Sequence, residues 1–109
     1  MSWIKLDNDN QLKEIKADNG YSIIFKHSTR CSISMMAKKR IDMDLSDLPT
    51  TVKPYFLDLI AHRAISNQIS EAFQVHHESP QLLLIKGGEC ILDQSHGDIS
   101  IEDTLDLII

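Results

Sequence analysis

The sequence predicts a single α/β domain over residues 1–109, in which a mixed four-stranded sheet is flanked by helices in the order α-βαβ-α-ββ-α. Three observations support this class. The 109-residue chain is 42% hydrophobic and 25% charged, and a chain of this size can bury a core without disulfides or metals. Its first two thirds alternate short β-branched segments with amphipathic ones, which favours parallel strands joined by a right-handed crossover. In its last third, a Gly-Gly pair separates two apolar segments, which favours an antiparallel hairpin.

The first helix and the first two strands follow from short patterns. Residues 7–16 (DNDNQLKEIK) place Leu12 and Ile15 at helical spacing, behind several side-chain oxygens that can cap a helix. The segments 21–26 (YSIIFK) and 55–60 (YFLDLI) contain aromatic and branched side chains, which is typical of buried strands. A helix between these two segments would complete a βαβ unit.

Two further helices are predicted after these strands. Residues 27–30 form a polar turn. Beyond it, apolar residues recur with a period near 3.6 and predict a helix that begins at Cys31 and buries four side chains: Ile33, Met36, Ala37 and Ile41. Residues 42–51 (DMDLSDLPTT) predict an acidic loop. Residues 63–73 (RAISNQISEAF) predict another helix, with its apolar residues on one face.

The last third of the chain predicts a hairpin and a closing helix. The two strands of the hairpin are residues 81–86 (QLLLIK) and 89–93 (ECILD). Between them, Gly87 and Gly88 permit a positive φ at both positions of the turn. Ser100 and Asp103 have capping-box spacing at the start of a helix over residues 100–109. The complete order of elements is that of a thioredoxin-like fold.

Charge and the N-terminal sequence exclude several classes of function. With 16 acidic and 11 basic side chains, the net charge of −5 disfavours binding to nucleic acid or to an anionic membrane. No apolar segment approaches the roughly 20 residues that span a bilayer, and residues 1–5 (MSWIK) lack the pattern of a secretory signal. We therefore expect a cytoplasmic protein, whose two cysteines are free thiols.

The two cysteines have different surroundings in the sequence. Cys31 lies in a stretch from residue 26 to residue 40 that contains five cations and no acidic residue. At the predicted N-terminus of a helix, unpaired N–H groups and the helix dipole favour a thiolate, and Lys26 and Arg30 are nearby in sequence; an inert buried cysteine could occupy the same position. The cations at residues 38–40 could simply face solvent near the end of that helix. Cys90 lies in an apolar strand pattern and is interpreted as a small buried side chain rather than a resolving thiol.

Three motifs together resemble one protein family. They are residues 25–34 (FKHSTRCSIS), Arg63 with Ile65-Ser66-Asn67, and residues 77–81 (HESPQ). These motifs are similar to those of the YtxJ family, the monothiol bacilliredoxins of the bacillithiol system within the thioredoxin superfamily, and the resemblance covers nearly the whole chain. It implies a bacterial thiol–disulfide oxidoreductase that reduces mixed disulfides between cytosolic proteins and bacillithiol. No bound cofactor is implied, because bacillithiol, a low-molecular-weight thiol, acts as co-substrate.

The resemblance also implies a monothiol mechanism centred on Cys31. Cys31 would be the nucleophile, and Ser34 stands three residues later, where dithiol thioredoxins have their resolving cysteine. Because serine cannot form the internal disulfide, release of the mixed disulfide on Cys31 needs a second thiol from solution. The Ser34 hydroxyl could bond to the Cys31 sulfur and favour its thiolate, or bond to its own helix backbone.

Further residues are expected to contact the substrate. By the resemblance, the Ser79–Pro80 peptide bond is cis and faces the active cysteine, and the Ser79 backbone pairs with the incoming disulfide chain. The other predicted contact residues are His27, Thr29, Arg30, Arg63 and Asp98. Arg63 and Asp98 could touch the charged groups of a small thiol.

Two other classes of function stay open. Monothiol glutaredoxin-like domains can hold an iron–sulfur cluster between two protein cysteines and two small thiols, but this chain has Cys31-Ser32-Ile33-Ser34 where those carriers have a glycine-containing motif. A thioredoxin-fold interaction module without turnover would need an inert Cys31.

The five histidines lack zinc-type spacing with the cysteines, so no metal site is predicted. We expect a monomer or a weak dimer.

Overall fold

Four α-helices pack on a five-stranded sheet in the computed structural model, which describes residues 2–108. The strands are β1 (Ile4–Lys5), β2 (Tyr21–His27), β3 (Lys53–Asp58), β4 (Gln81–Lys86) and β5 (Glu89–Ser95). The helices are α1 (Asp9–Ala17), α2 (Ser32–Asp44), α3 (Arg63–Phe73) and α4 (Ile101–Leu107). The predicted α/β class is confirmed. The predicted domain also includes residues 1 and 109, and the predicted closing helix includes residue 109; both residues lie outside the described part of the chain.

The strand pairing contains both predicted supersecondary units. The strand order is β1-β3-β2-β4-β5; β2 and β3 are parallel, and β4 is antiparallel to β2 and to β5. Gly87 and Gly88 have φ of 59° and 79°, as the hairpin turn requires. The prediction of four strands was wrong by one, because β1 is only two residues long and both of them are exposed, so its sequence carries no strand pattern.

Helix α2 is longer than the sequence pattern predicts. It continues to Asp44 and is followed by a 3₁₀ turn at Leu45–Asp47, so the first part of the predicted acidic loop is helical. Nζ of Lys38 lies 2.6 Å from Oδ2 of Asp42 one turn later, and Ile41 and Leu45 are buried. The cations at residues 38–40 therefore lie before the last turn of α2 and not at its negative end, where the sequence placed them.

The predicted buried face of α2 was partly wrong. Ala37 and Ile41 are buried as expected, but Ile33 and Met36 are 54% and 63% exposed. The buried position one turn before Ala37 belongs to Ser34, because its hydroxyl has polar partners in the interior. Ile33 and Met36 consequently form an apolar surface on the first turns of α2.

Two apolar clusters cover the two faces of the sheet. One cluster lies beneath α1 and α3 and includes Ile24 of β2; the other lies beneath α2 and α4 and includes Phe25. Successive side chains of a strand point to opposite faces. The same alternation directs Lys26 to the side of α3 and His27 to the side of α2.

Candidate active site

One end of the sheet brings together the segments that carry the predicted site. Lys26 at the end of β2 pairs with Gln81 at the start of β4, which in turn pairs with Ser95 at the end of β5. His27 pairs with Asp58 at the end of β3. The loops after β2, β3 and β5 and the loop before β4 therefore meet at this end. Together with the first turns of α2 and α3, the segments there contain every predicted site residue: His27, Thr29, Arg30, Cys31, Ser34, Arg63, Ser79, Pro80 and Asp98.

Cys31 is the N-cap residue of α2 and is partly exposed. Its backbone is extended (φ −110°, ψ 121°), and its side chain makes no capping hydrogen bond. Its N–H donates to the carbonyl oxygen of Ser28 at 3.2 Å, which fixes the turn between β2 and α2. The predicted position of Cys31 at a helix N-terminus is confirmed, where unpaired N–H groups and the helix dipole favour an anion.

Ser34 is fully buried and joins α2 to the end of β2. Its Oγ lies 2.8 Å from Nδ1 of His27 and accepts a hydrogen bond from the Ser28 N–H at 3.0 Å. Burial and the charge of Lys38 lower the pKa of His27, so its ring is largely neutral at pH 7 and Nδ1 can accept the Ser34 proton. The two predicted interactions of Ser34 were wrong: among residues 2–108, its hydroxyl bonds to neither the Cys31 sulfur nor the backbone of α2.

His27 lies behind the active-site turn rather than on its surface. The residue is 5% exposed. Its ring lies against two aromatic side chains, with ring centroids 5.8 Å from Phe25 and 5.5 Å from Phe56. The sequence predicts that His27 contacts the substrate. Because strand alternation turns the ring into the core, little of its surface is available to a substrate, and it supports the turn through Ser34.

The loop before β4 contains the cis Ser79–Pro80 peptide bond that the family resemblance implies. The carbonyl oxygen of Pro80 accepts a hydrogen bond from the His96 N–H at 3.1 Å. This bond ties the loop to the 3₁₀ turn at His96–Asp98. The Ser79 hydroxyl is buried and is the one buried side-chain oxygen or nitrogen without a hydrogen-bond partner in the described part of the chain.

A buried glutamine holds the same loop from below. Gln81 is fully buried, and its Oε1 accepts from the Glu78 N–H at 3.4 Å. Its Nε2 donates to the His76 carbonyl oxygen at 2.9 Å and to Oδ1 of Asp93 at 2.8 Å. Gln81 thus fixes the path of residues 76–80, because both the oxygen and the nitrogen of its side-chain amide are hydrogen-bonded.

Lys26 is buried completely, which the sequence did not reveal. Its Nζ lies 3.1 Å from Nδ1 of His77. Burial lowers the pKa of Lys26 to about 8, and the charge of Asp93 opposes that effect. The sequence predicts that Lys26, like Arg30, is a nearby cation that favours the Cys31 thiolate. The alternation of β2 instead sends Lys26 into the interior, beside a histidine 51 residues later in the chain.

The remaining predicted contact residues lie on the surface. Thr29, Arg30, Arg63 and Asp98 are all exposed. Arg63 is the first residue of α3, and its charge is one of several influences, after burial and Lys26, that lower the pKa of His77. Arg63 therefore lies within electrostatic reach of the cis-proline loop.

Cys90 lies at the opposite end of the sheet. It follows Gly87 and Gly88 at the beginning of β5 and packs, partly buried, against the cluster beneath α1 and α3. Its thiol donates to the Leu92 carbonyl oxygen at 3.3 Å. Burial and the charge of Asp93 raise the pKa of Cys90 to about 11, so this thiol is protonated and weakly nucleophilic at neutral pH.

No group of three or more His, Cys, Asp or Glu side chains among residues 2–108 is placed to hold a metal ion. No helix of the same residues is long and apolar enough to cross a membrane.

Comparison with known proteins identifies a family and a fold. The family model described as monothiol bacilliredoxin BrxC matches residues 4–104. A thioredoxin-fold protein described as an oxidoreductase is 30% identical in sequence, with a TM-score of 0.82 over 94% of this chain and 90% of that one. A thioredoxin from Malassezia sympodialis (19% identity, TM-score 0.76, 95% and 87% covered) and a thioredoxin variant from Halobacterium salinarum (17%, 0.71, 96% and 86%) share the fold.

Proposed function

This chain belongs to the monothiol bacilliredoxin family and has a thiol redox function, and we propose that it reduces mixed disulfides between cytosolic proteins and bacillithiol. The observation that carries the proposal is the position of Cys31. It is a partly exposed, free cysteine at the N-cap of α2, at the end of the sheet that also holds the cis Ser79–Pro80 bond. A thiolate there is the species that attacks a disulfide sulfur.

The proposed reaction is thiol–disulfide exchange in two steps. In the first, the Cys31 thiolate attacks the bacillithiol sulfur of the mixed disulfide; the old S–S bond breaks, a bond between Cys31 and bacillithiol forms, and the protein leaves as a thiolate. In the second, a free bacillithiol thiolate attacks the new mixed disulfide. Cys31 is then released as a thiolate, and the two small thiols leave as their own disulfide, having supplied the two electrons.

A small thiol is required in the second step because no side chain of the described residues is suited to replace it. Ser34 has no sulfur, and its hydroxyl is engaged by Ser28 and His27. Cys90 lies at the other end of the sheet and is protonated at neutral pH, since burial raises its pKa to about 11. The mechanism is therefore monothiol, with Ser34 positioning the active turn.

The surroundings of Cys31 suit a substrate with one protein half and one small polar half. The exposed side chains of Ile33 and Met36 offer apolar surface to the protein half. The exposed side chains of Arg30 and Arg63 offer positive charge to anionic groups of the small thiol, and the exposed carboxylate of Asp98 offers negative charge to its amine. The Ser79 backbone would pair with the extended chain beside the disulfide. We propose that the protein works in the cytoplasm as a monomer or weak dimer, without a bound cofactor.

Mass spectrometry of an exchange reaction tests this function. A bacillithiolated protein is incubated with the wild-type chain, with Cys31→Ala and with Cys90→Ala as the matched control. We expect one bacillithiol adduct on the wild type and on Cys90→Ala, none on Cys31→Ala, and removal of the adduct by added free bacillithiol. An adduct on Cys31→Ala would overturn the assignment of the nucleophile. Absence of an adduct on the wild type would favour an interaction module, and a coloured protein after anaerobic iron–sulfur reconstitution would favour a cluster carrier.

A further inference from the structure

The contact between the buried Lys26 and the exposed His77 has no role in the exchange steps described above. We propose that Lys26 is a positioning residue of the thiol site, whose ammonium fixes the tautomer of His77 so that the imidazole presents an Nε2–H donor to the incoming mixed disulfide. The inference rests on the proposed function for the identity of the substrate. The state of the ring can be tested without it.

The hydrogen-bonding capacity of an ammonium group determines the tautomer. A charged lysine has three N–H donors and no acceptor, and its Nζ lies 3.1 Å from Nδ1 of His77. Nδ1 must therefore carry a lone pair, which places the proton of the neutral ring on Nε2. The hydroxyl of Ser66, buried on α3, lies 3.4 Å from the same Nδ1 and can act as a second donor to it.

The placement of Lys26 is energetically expensive. A buried ammonium is normally compensated by a hydrogen-bonded carboxylate, but no such contact of Lys26 exists among residues 2–108. Asp93 stabilises the ammonium only through its charge, and Oδ1 of Asp93 accepts from Gln81. The direct partner of Lys26 is a neutral imidazole, which indicates that the pair serves the site rather than stability.

His77 is well placed to receive a substrate. Its side chain is exposed although Nδ1 contacts the buried Lys26, and in the described residues Nε2 has no hydrogen-bond partner. The residue lies two positions before Ser79, in the loop that holds the cis peptide bond. The charged and titratable groups that act on the ring are Lys26, Glu78, His76 and Arg63. Burial and Lys26 are the main causes that lower the pKa of His77, so the neutral donor persists at pH 7.

Nitrogen NMR of the imidazole tests the tautomer directly. Uniformly ¹⁵N-labelled wild type, Lys26→Met and the exposed control Lys13→Met are compared at pH 7, and His77→Gln assigns the signal. We expect the Nε2–H form alone in the wild type and in Lys13→Met, and a mixture of tautomers in Lys26→Met with the pKa of His77 raised toward 6.5. A wild-type ring protonated at Nδ1, or a ring unchanged in Lys26→Met, would overturn the proposal.

Exchange kinetics test the connection to the substrate. His77→Phe removes the Nε2–H donor and should slow transfer of bacillithiol to Cys31 about fivefold, as expected for one lost hydrogen bond. Lys26→Met leaves the donor on only part of the rings and should slow the same transfer by a smaller factor. The double variant should be no slower than the slower single variant, because residues that act through one contact are not additive. Unchanged transfer in His77→Phe, or multiplied effects in the double variant, would contradict the role of the pair. If the wild type transfers no bacillithiol, the proposed function fails while the NMR result still decides the state of the ring.

Discussion

Cys31 follows the end of β2, and Cys90 follows the glycine turn at the opposite end of the same sheet. Both are free and partly buried, so exposure does not separate them. What separates them is the next element of structure: the chain after Cys31 turns into α2, whose first N–H groups favour an anion, whereas Cys90 lies within β5 against apolar side chains. The difference teaches that the backbone and side chains around a cysteine, rather than its exposure, decide whether the thiol can react.

The largest expected effect is on alkylation. With iodoacetamide at pH 8, we expect Cys31 to react at least about 100 times faster than Cys90, because a thiol of pKa about 11 is ionised to about one part in a thousand at that pH. Cys90 labelling should increase about tenfold per pH unit until pH approaches 11. Peptide mapping of wild type, Cys31→Ala and Cys90→Ala measures both rates. If Cys90 in Cys31→Ala were alkylated as fast as Cys31 in the wild type, the two thiols would not differ in reactivity.

The second prediction is that a substitution in the glycine turn destabilises the end of the sheet that holds Cys90 without changing the reactivity of Cys31 at the other end. At Gly88 φ is +79°, and an added Cβ would lie 2.3 Å from the Lys16 carbonyl oxygen, so Gly88→Ala should lower the free energy of unfolding by about 2–3 kcal/mol. Gly87→Ala is the matched control: its φ is +59° but no atom lies within 4 Å of the new Cβ, and we expect a loss of about 1 kcal/mol. Urea denaturation measures both values. The alkylation rate of Cys31 should be unchanged in the two variants, and a slower rate would show that the ends are coupled.

A third prediction concerns the buried charge at the Cys31 end. The pKa of Lys26 is lowered from 10.5 to about 8 by burial, so the unfolded chain binds more protons between these values and the stability of the wild type rises with pH across that window. Below pH 8 the cost of the buried charge is present in full. Lys26→Met should therefore be more stable than the wild type at pH 7, and its advantage should shrink by about 2 kcal/mol by pH 10. Urea denaturation at the two pH values measures this; a constant difference would mean that the ammonium carries no such cost.

The smallest expected effect tests the support of the active turn. Ser34→Ala leaves Nδ1 of His27 and the Ser28 N–H without their partner, and we expect a loss of about 1–2 kcal/mol. The exposed Ser32 on the same helix provides the control, since Ser32→Ala should change stability by less than about 0.5 kcal/mol. Thermal and urea unfolding measure both. Equal stability of the two variants would show that Ser34 does not support the turn.

Much of the fold could be predicted because its patterns are local. The bounds of β4 and of α3 were predicted to the residue, since apolar periodicity and the flanking glycines or turn residues mark them. β1 could not be predicted, because two exposed residues show no periodicity and acquire strand geometry only by pairing with β3. The extension of α2 to Asp44 was missed because acidic residues suggest a loop, whereas Lys38 and the burial of Ile41 sustain the helix.

The candidate site was predictable only in part, for a different reason. Cys31 could be placed at a helix N-terminus because the strand, turn and helix that surround it are contiguous in sequence. The interior location of Ser34 and Lys26 could not be predicted, since a hydropathy pattern treats both as polar surface residues. Their burial depends on partners elsewhere, His27 across the turn and His77 from a distant loop. One signal in the sequence pointed to the burial of Lys26: the lysine lies at the end of a predicted buried strand.

Successive side chains of β2 point to opposite faces of the sheet, so the support of the active-site turn depends on which face each residue at the end of β2 occupies. Lys26 and His27 are neighbours in sequence, yet one supports the cis-proline loop from the side of α3 and the other supports α2 through Ser34. A single residue inserted after Ile24 would exchange the two faces, since side chains alternate with a period of two. The ammonium would then meet the aromatic side chain of Phe56, while Phe25 and the imidazole would face the side of α3. Insertions in the loops around Cys31 should therefore be tolerated better than an insertion within the strand that precedes it.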